Sequence, residues 1–369
     1  MRFACNREQL AEAISTVERA VPSRDVDDHL KGILLEAFED RLQLTAFDLH
    51  LGIECSTPAE VERQGAVMVD ARLFSQLTRK LPSDKVEFSR DPGAGAATVR
   101  SGRAEFTINV RDAGDFPELP APSGDVTWRI GAAELKDMIR QTAFAAAVDD
   151  HRSYLNGVLF EVEEDRLNLV ATDSTRLAFR QGKLAQPSPQ TRRAVVPARA
   201  AQELARIIPA DAEGDVEMLL TDRQISFRFE NVRLVSRLLE GEFPNYRQVL
   251  PREQPISIVV PRAQLAAAVE RASVLSRTGP AIVVADVRGG TLTLTARETD
   301  VGQSQEELDV VQEGQDGANS YQARFILDVL RAYDDDQLRI TFDERDVPAT
   351  FKPVDGDDRF CIIMPVRLG

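Results

Sequence analysis

Three segments of this chain copy one another at a constant step. Leu42-Gln43-Leu44-Thr45-Ala46-Phe47-Asp48 recurs as Leu167-Asn168-Leu169-Val170-Ala171-Thr172-Asp173 and as Leu292-Thr293-Leu294-Thr295-Ala296-Arg297-Glu298, each step being 125 residues. The alternation of apolar and polar positions is that of a strand with one face buried. Flanking segments repeat in the same order. Helical spacing precedes each copy, over 6–20, 132–147 and 262–277, with Leu10, Leu135 and Leu265 in equivalent places. Ala71-Arg72, Ala198-Arg199 and Ala323-Arg324 follow, each opening a second short helix, and Leu81-Pro82 and Ile208-Pro209 stop the first two. Asp115-Phe116-Pro117 matches Glu242-Phe243-Pro244, whereas the third unit closes on Met364-Pro365-Val366-Arg367-Leu368. A repeat this long is a whole domain. The chain therefore reads as three tandem α+β domains, each with two helices and about eight strands in antiparallel sheet covered by helices on one face. Pro/Gly-rich linkers at 117–124 and 250–255 divide it into 1–123, 124–252 and 253–369.

Charge poses the next question. The 369 residues carry 45 basic and 60 acidic side chains, a formal net charge of −15. Such a chain should repel nucleic acid unless its basic residues are segregated onto one face. Enzyme chemistry has little to start from. There are three histidines, His29, His50 and His151, and none of the usual phosphate-loop, zinc-protease or nucleophile-elbow motifs occurs. Cys5, Cys55 and Cys361 lie far apart without metal-ligand spacing, as expected of buried thiols in a reducing compartment. No apolar run has the length of a membrane span, and the N-terminus lacks a signal-peptide pattern. The expectation is a cytoplasmic protein with no metal and no cofactor.

The six predicted helices (6–20, 71–80, 132–147, 198–208, 262–277 and 322–333) hold 14 basic and 8 acidic residues, or +6, while the remainder of the chain holds −21. The window 72–80 contains Arg72, Arg79 and Lys80 and no acid. For one helix, basic residues on an outer face are ordinary solvation. Across six, with sign opposite to the rest of the chain, they point to helix faces converging on a polyanion. Three similar units with sheets outside and helices inside form an arc, half of a ring, with an unpaired strand edge at each end. A head-to-tail homodimer pairs both edges and closes the ring. DNA in its hole is then held by topology, with weak phosphate contacts that permit sliding.

The three-copy architecture, with Tyr154-Leu155-Asn156-Gly157-Val158-Leu159-Phe160-Glu161, Ala171-Thr172-Asp173-Ser174-Thr175-Arg176-Leu177-Ala178, Phe243-Pro244-Asn245-Tyr246-Arg247 and the terminal Met364–Leu368 motif, closely resembles the bacterial DNA polymerase III β subunit, the replicative sliding clamp. The resemblance covers essentially the whole chain. It implies a non-catalytic processivity factor: a homodimeric ring of clamp domains that encircles double-stranded DNA without sequence preference. It further implies loading by an ATP-driven clamp loader and tethering of the replicative polymerase catalytic subunit and other clamp-binding-motif proteins. By position it implies a partner-peptide pocket of Leu155, Thr172, Ser174, Thr175, Arg176, Leu177, Pro244, Val249, Ile362, Met364, Pro365, Val366, Arg367 and Leu368. Arg24, Arg72, Arg152 and Tyr154 match positions the family uses near DNA, and the helical charge adds Arg79, Lys80, Arg199 and Arg206. Phe106 and Ile108, with Val274 and Leu275, match its dimer contact. The sequence departs from the familiar enterobacterial pattern at Ser153, Thr175 and Gln248, and Asp149-Asp150 make the loop before Arg152 acidic.

Two rivals remain open at this point. Asp173 with Asp149 and Asp150, or Asp334-Asp335-Asp336, could form acid/base or metal-ligand groups. Against this, the Asp173 position recurs as Asp48 and Glu298, which suggests a repeated turn hydrogen bond. The other rival is a scaffold that binds peptides and not DNA.

Overall fold

The computed structural model describes residues 1–22, 28–120, 127–250, 253–276, 279–298 and 300–367. Arg24, Leu368 and parts of both predicted linkers therefore lie outside the described residues.

Six times a strand runs directly into a helix. Arg2–Asn6 leads into α1 (Arg7–Val17), Gly65–Asp70 into α2 (Ala71–Lys80) and Thr127–Gly131 into α3 (Ala132–Thr142). Arg192–Pro197 leads into α4 (Ala198–Ile207), Ile256–Pro261 into α5 (Arg262–Ser273) and Gly317–Gln322 into α6 (Ala323–Ala332). Side chains set the first two junctions. Asn6 Oδ1 accepts from the N–H groups of Glu8 and Gln9 at 2.9 and 3.2 Å, and Asp70 Oδ1 from that of Leu73 at 2.7 Å. Both satisfy amides that no helix can satisfy internally. α1 buries Leu10, Ala13, Ile14 and Val17, and α5 buries Leu265, Ala268, Val269 and Ala272. The two stripes share one spacing, so the sequence repeat is a repeat of packing.

α5 is shorter than the predicted window 262–277. It ends at Ser273, and Val274 beyond it is 77% exposed. Apolar spacing continues there without a surface to bury it. No helix among the described residues is long and apolar enough to cross a membrane.

The fold comprises two compact units, one of 1–133 with 206–238, the other of 134–205 with 239–369. Among the described residues every ladder in both is antiparallel. In the first unit thirteen strands form one sheet because strand Leu51–Pro58, from the first sequence copy, pairs with Val232–Arg237 from the second. The second unit repeats that join: Arg176–Lys183, from the second copy, pairs with Arg359–Ile363 from the third, within a nine-stranded sheet. The equivalent strand of the third copy, Gly302–Asp309, pairs with Thr291–Glu298 alone among the described residues and ends a four-stranded sheet. At the other end of the series, Ala104–Arg111 pairs along 104–109 with Ala96–Ser101, while on its second side only Val110 and Arg111 have ladder partners among the described residues.

Candidate functional site

Strand alternation in the second unit puts one apolar row across five strands. Val195 lies opposite Leu159, Leu159 opposite Val170, Val170 opposite Phe179, and Phe179 opposite Phe360. Leu177 and Ile362 make the adjacent pair. Phe243 and Tyr246 close over this face, and Tyr154 and Leu239 pack at its border. Phe179 stacks on Phe360 with ring centroids 5.0 Å apart and lies 5.9 Å from Tyr246. Such aromatic pairs add about 0.5–1.5 kcal/mol beyond area burial.

The rim is open where the core is closed. Val249 is 47% and Met364 39% exposed, and Ser174, Thr175 and Pro244 are also exposed. Among the residues named from sequence, then, Leu155, Leu177 and Ile362 are buried while Pro244, Val249 and Met364 are accessible. The row also contains Leu159, Val170, Phe179, Val195 and Phe360, none of which the sequence reading singled out. The signal was present, since Phe179 and Phe360 stand two residues from Leu177 and Ile362.

A tight turn forms one edge. Asp173 Oδ1 accepts from the N–H groups of Thr175 and Arg176 at 2.9 and 3.0 Å and from Thr175 Oγ1 at 2.6 Å. Ser174 takes a left-handed backbone, φ 77°. Asp48 does the same work in the first copy, accepting from the N–H groups of His50 and Leu51 at 2.9 and 2.7 Å. The recurrent Asp is thus a turn-former. Two members of the other acidic group are engaged by cations: Asp334 pairs with Arg140, and Asp335 with Arg359 at 2.7 Å.

Arg176 is turned inward. Its Nε donates to Asp173 at 2.9 Å, Nη1 to Asp328 of α6 at 2.6 Å and Nη2 to the Phe144 carbonyl at 2.7 Å. The guanidinium lies 5.5 and 4.5 Å from the ring centroids of Phe144 and Phe325. Its side chain is 5% exposed, so it braces the turn from below. The chain end adjoins this turn. Met364 N–H donates to the Thr175 carbonyl at 2.8 Å, and Val366 N–H to the Ser320 carbonyl at 2.8 Å. Ser320 Oγ returns a bond to the Val366 carbonyl at 2.5 Å, and Arg367 pairs with Asp346.

The basic residues have different settings. Arg72, Arg79 and Lys80 are exposed on α2, with Arg79 paired to Glu18 at 2.7 Å. Arg199 and Arg206 are exposed on α4. Arg152 is held by Asp150, which accepts from its Nε and Nη2 at 3.0 Å each. That hydrogen bonding lowers the Asp150 carboxyl to about 2. Arg152 therefore carries its own counterion. Tyr154 packs against the apolar face, half-buried. At the two open strands, Phe106 is 40% exposed and Ile108 7%. Arg271 near the end of α5 reaches Glu306 of Gly302–Asp309 at 2.6 Å, just before Val274 and half-buried Leu275.

Tandem copies of one α+β domain, joined sheet to sheet and carrying an apolar face with exposed residues at its border, make this a protein of the DNA-clamp class. Among the described residues no group of three or more His, Cys, Asp or Glu could hold a metal. Residues 1–120, 129–245 and 247–367 match the N-terminal, central and C-terminal domain models of the DNA polymerase III beta subunit. The chain belongs to that family, whose members are non-catalytic processivity factors. It is 31% identical to the beta sliding clamps of Synechocystis sp. and of Bacillus subtilis, over the full length of each chain. The solved DNA polymerase sliding clamp from Bacillus subtilis is similar over all of both chains, with TM-score 0.94 and 30% identity. A Pseudomonas aeruginosa sliding clamp bound to griselimycin gives 0.94 and 29%, again over all of both chains. The chain functions as a sliding clamp.

Proposed function

We propose that two copies of this chain close into a ring around duplex DNA, each copy contributing clamp domains 1–123, 124–252 and 253–369. The strand edges carry this reading. Twice a sequence copy offers the same strand to the last strand of the next copy, and the third offer, Gly302–Asp309, has no taker among the described residues. The matching last strand of the first copy, Ala104–Arg111, has an open side along 104–109 among the described residues. Head-to-tail association satisfies both edges in one step. Phe106 and Ile108 on one side, and Val274 and Leu275 on the other, supply apolar contact at this seam.

Inside the ring, Arg72, Arg79, Lys80, Arg199 and Arg206 face phosphates, with Arg152 and Tyr154 nearby. Because Asp150 already neutralises Arg152 and Glu18 pairs with Arg79, Arg72 and Lys80 carry more of the attraction. The rim of Pro244, Val249, Met364, Pro365 and Val366, over Leu177 and Ile362, takes short apolar peptides of the clamp loader, the replicative polymerase catalytic subunit and other partners. A relative in Pseudomonas aeruginosa is bound to griselimycin, which supports a ligand site on this fold. The protein works in the cytoplasm.

Loaded by its cognate clamp loader and washed with high salt, the protein should stay on nicked circular DNA and leave linear DNA by its ends. Equal retention on both would favour the peptide scaffold, since salt removes electrostatic binding from either. A second expectation concerns α2. Reversing Arg72, Arg79 and Lys80 to Glu should cut loading onto DNA by about tenfold or more, because six units of charge change at the polyanion, while peptide affinity stays within twofold. A loss of peptide affinity with normal loading would show that α2 faces elsewhere.

A further inference from the structure

Parallel to the apolar row, one step along the same strands, runs a polar row. Arg193 lies opposite Glu161, Glu161 opposite Asn168, and Asn168 opposite Gln181. Glu161 stands two residues from Leu159 on Gly157–Glu163 and so shares its face. Its side chain is 1% exposed. A carboxylate this buried costs several kcal/mol unless it is fully paired.

The pairing comes largely from the groove wall. Tyr246 Oη donates to Glu161 Oε2 at 2.6 Å, and Arg247 donates from Nη1 and Nη2 to the two carboxylate oxygens at 3.1 and 2.8 Å. Arg193 Nε lies 3.1 Å from Oε1, and Asn168 Nδ2 donates to Oε2 at 3.3 Å. Arg247 also spans to Glu163 at 2.7 Å and stacks over the Tyr246 ring, 4.8 Å from its centroid. Burial opposes ionisation of Glu161, but the bonds from Arg247, Tyr246 and Asn168 outweigh it and hold the carboxyl below its ordinary value of 4.5. Burial, and then the bond to Glu161, push the Tyr246 phenol well up.

Tyr246 therefore works in both rows, its ring in the apolar cluster and its hydroxyl on the carboxylate. Two residues after exposed Pro244, it opens the one-turn helix Tyr246–Val249, which carries Val249 to the rim. We propose that Glu161 is the positioning residue of the peptide groove: it pins Tyr246 and Arg247, and through them holds Pro244 and Val249 in the shape the peptide meets. This rests on the reading of the rim as the peptide site. A wall ordered beforehand removes an entropic cost that a loose wall would meet on binding. Glu161 need touch no peptide atom.

The test measures binding of a fluorescent peptide, copied from the clamp-binding segment of the cognate polymerase subunit, to the full-length protein. Glu161→Ala should weaken binding by about 30-fold, and Glu161→Gln and Tyr246→Phe by about fivefold each, with the loss appearing as a less favourable binding entropy. Because the two variants share the Tyr246–Glu161 bond, combining them should cost clearly less than the roughly 25-fold product of the single losses, the rest of the Glu161→Gln effect passing through Arg247. Tyr246→Phe keeps the ring and guards against loss of fold. Met364→Ala, on the rim and without contact to Glu161, is the control for the site itself. If Met364→Ala weakens binding and the Glu161 variants do not, Glu161 has no positioning role and the groove reading stands. If none weakens binding, the groove reading falls. Full additivity of Glu161→Gln and Tyr246→Phe would also overturn the proposal, since it would mean that the two act separately.

Discussion

Removing residues 364–369 should lower affinity for a partner peptide at least about a hundredfold, while the remaining chain stays folded and dimeric. The size follows from what the segment contributes to the rim. Met364 and Val366 are apolar side chains beside the proposed groove, and each such side chain buried by a ligand is worth about 1.5–3 kcal/mol. Losing two exceeds the ~2.8 kcal/mol that corresponds to two decades in Kd. The cost to the fold is smaller. The last strand, Arg359–Ile363, ends before the cut, with Cys361 and Ile363 fully buried. Among the described residues the tail is held by the Met364 bond to Thr175, the paired bonds between Val366 and Ser320, and the exposed Arg367–Asp346 ion pair. Net worth is about 1 kcal/mol for each such hydrogen bond and less for an exposed ion pair. Fluorescence anisotropy gives the affinity, and sedimentation with circular dichroism gives the dimer and the fold. Unchanged affinity in a folded dimer would remove the chain end from the groove.

Much of this architecture was readable because the sequence states it three times. An alternating heptad seen once could be coincidence. Seen at 42, 167 and 292 with helices at matching offsets, it fixes strand, order and domain together. The window 71–80 corresponds to α2 at both ends, since Asp70 can cap and Pro82 must stop it. The window 262–277 overran because Val274 and Leu275 continue an apolar pattern that the folded chain does not use for packing against its own core at Val274. The site was readable only as far as residue type carries information. Leu177 and Ile362 could be placed on a buried strand face. The fate of Arg176 could not, because it depends on Phe144, Phe325 and Asp328, up to 152 residues away. Nor could that of Arg152: Asp150 is its near neighbour in sequence, but only loop geometry makes the pair bidentate.

Arg176→Ala should destabilise the protein by about 3–5 kcal/mol, the loss expected when one member of a buried ionic network is deleted. The guanidinium answers three acceptors on three segments: Asp173 in the turn, Asp328 on α6 and the carbonyl of Phe144. Alanine leaves both carboxylates without that counter-charge and opens a void between the rings of Phe144 and Phe325. At this chain length the midpoint of thermal unfolding should fall by roughly 5 °C. Arg176→Lys should recover only part, because a single ammonium on a flexible stem cannot reproduce a planar fork aimed at three acceptors. Asp328→Asn should cost less than either, since Asp173 and the Phe144 carbonyl still engage the cation. The effect also reaches the groove. The carbonyl of Thr175, which lies between Asp173 and Arg176, accepts the Met364 N–H, so a loosened turn frees the chain end and weakens peptide binding even at temperatures where the variant is folded. A loss below about 1 kcal/mol in Arg176→Ala would mean that the network only offsets the desolvation of its own charges, and that the turn is held by Asp173 and its backbone bonds alone.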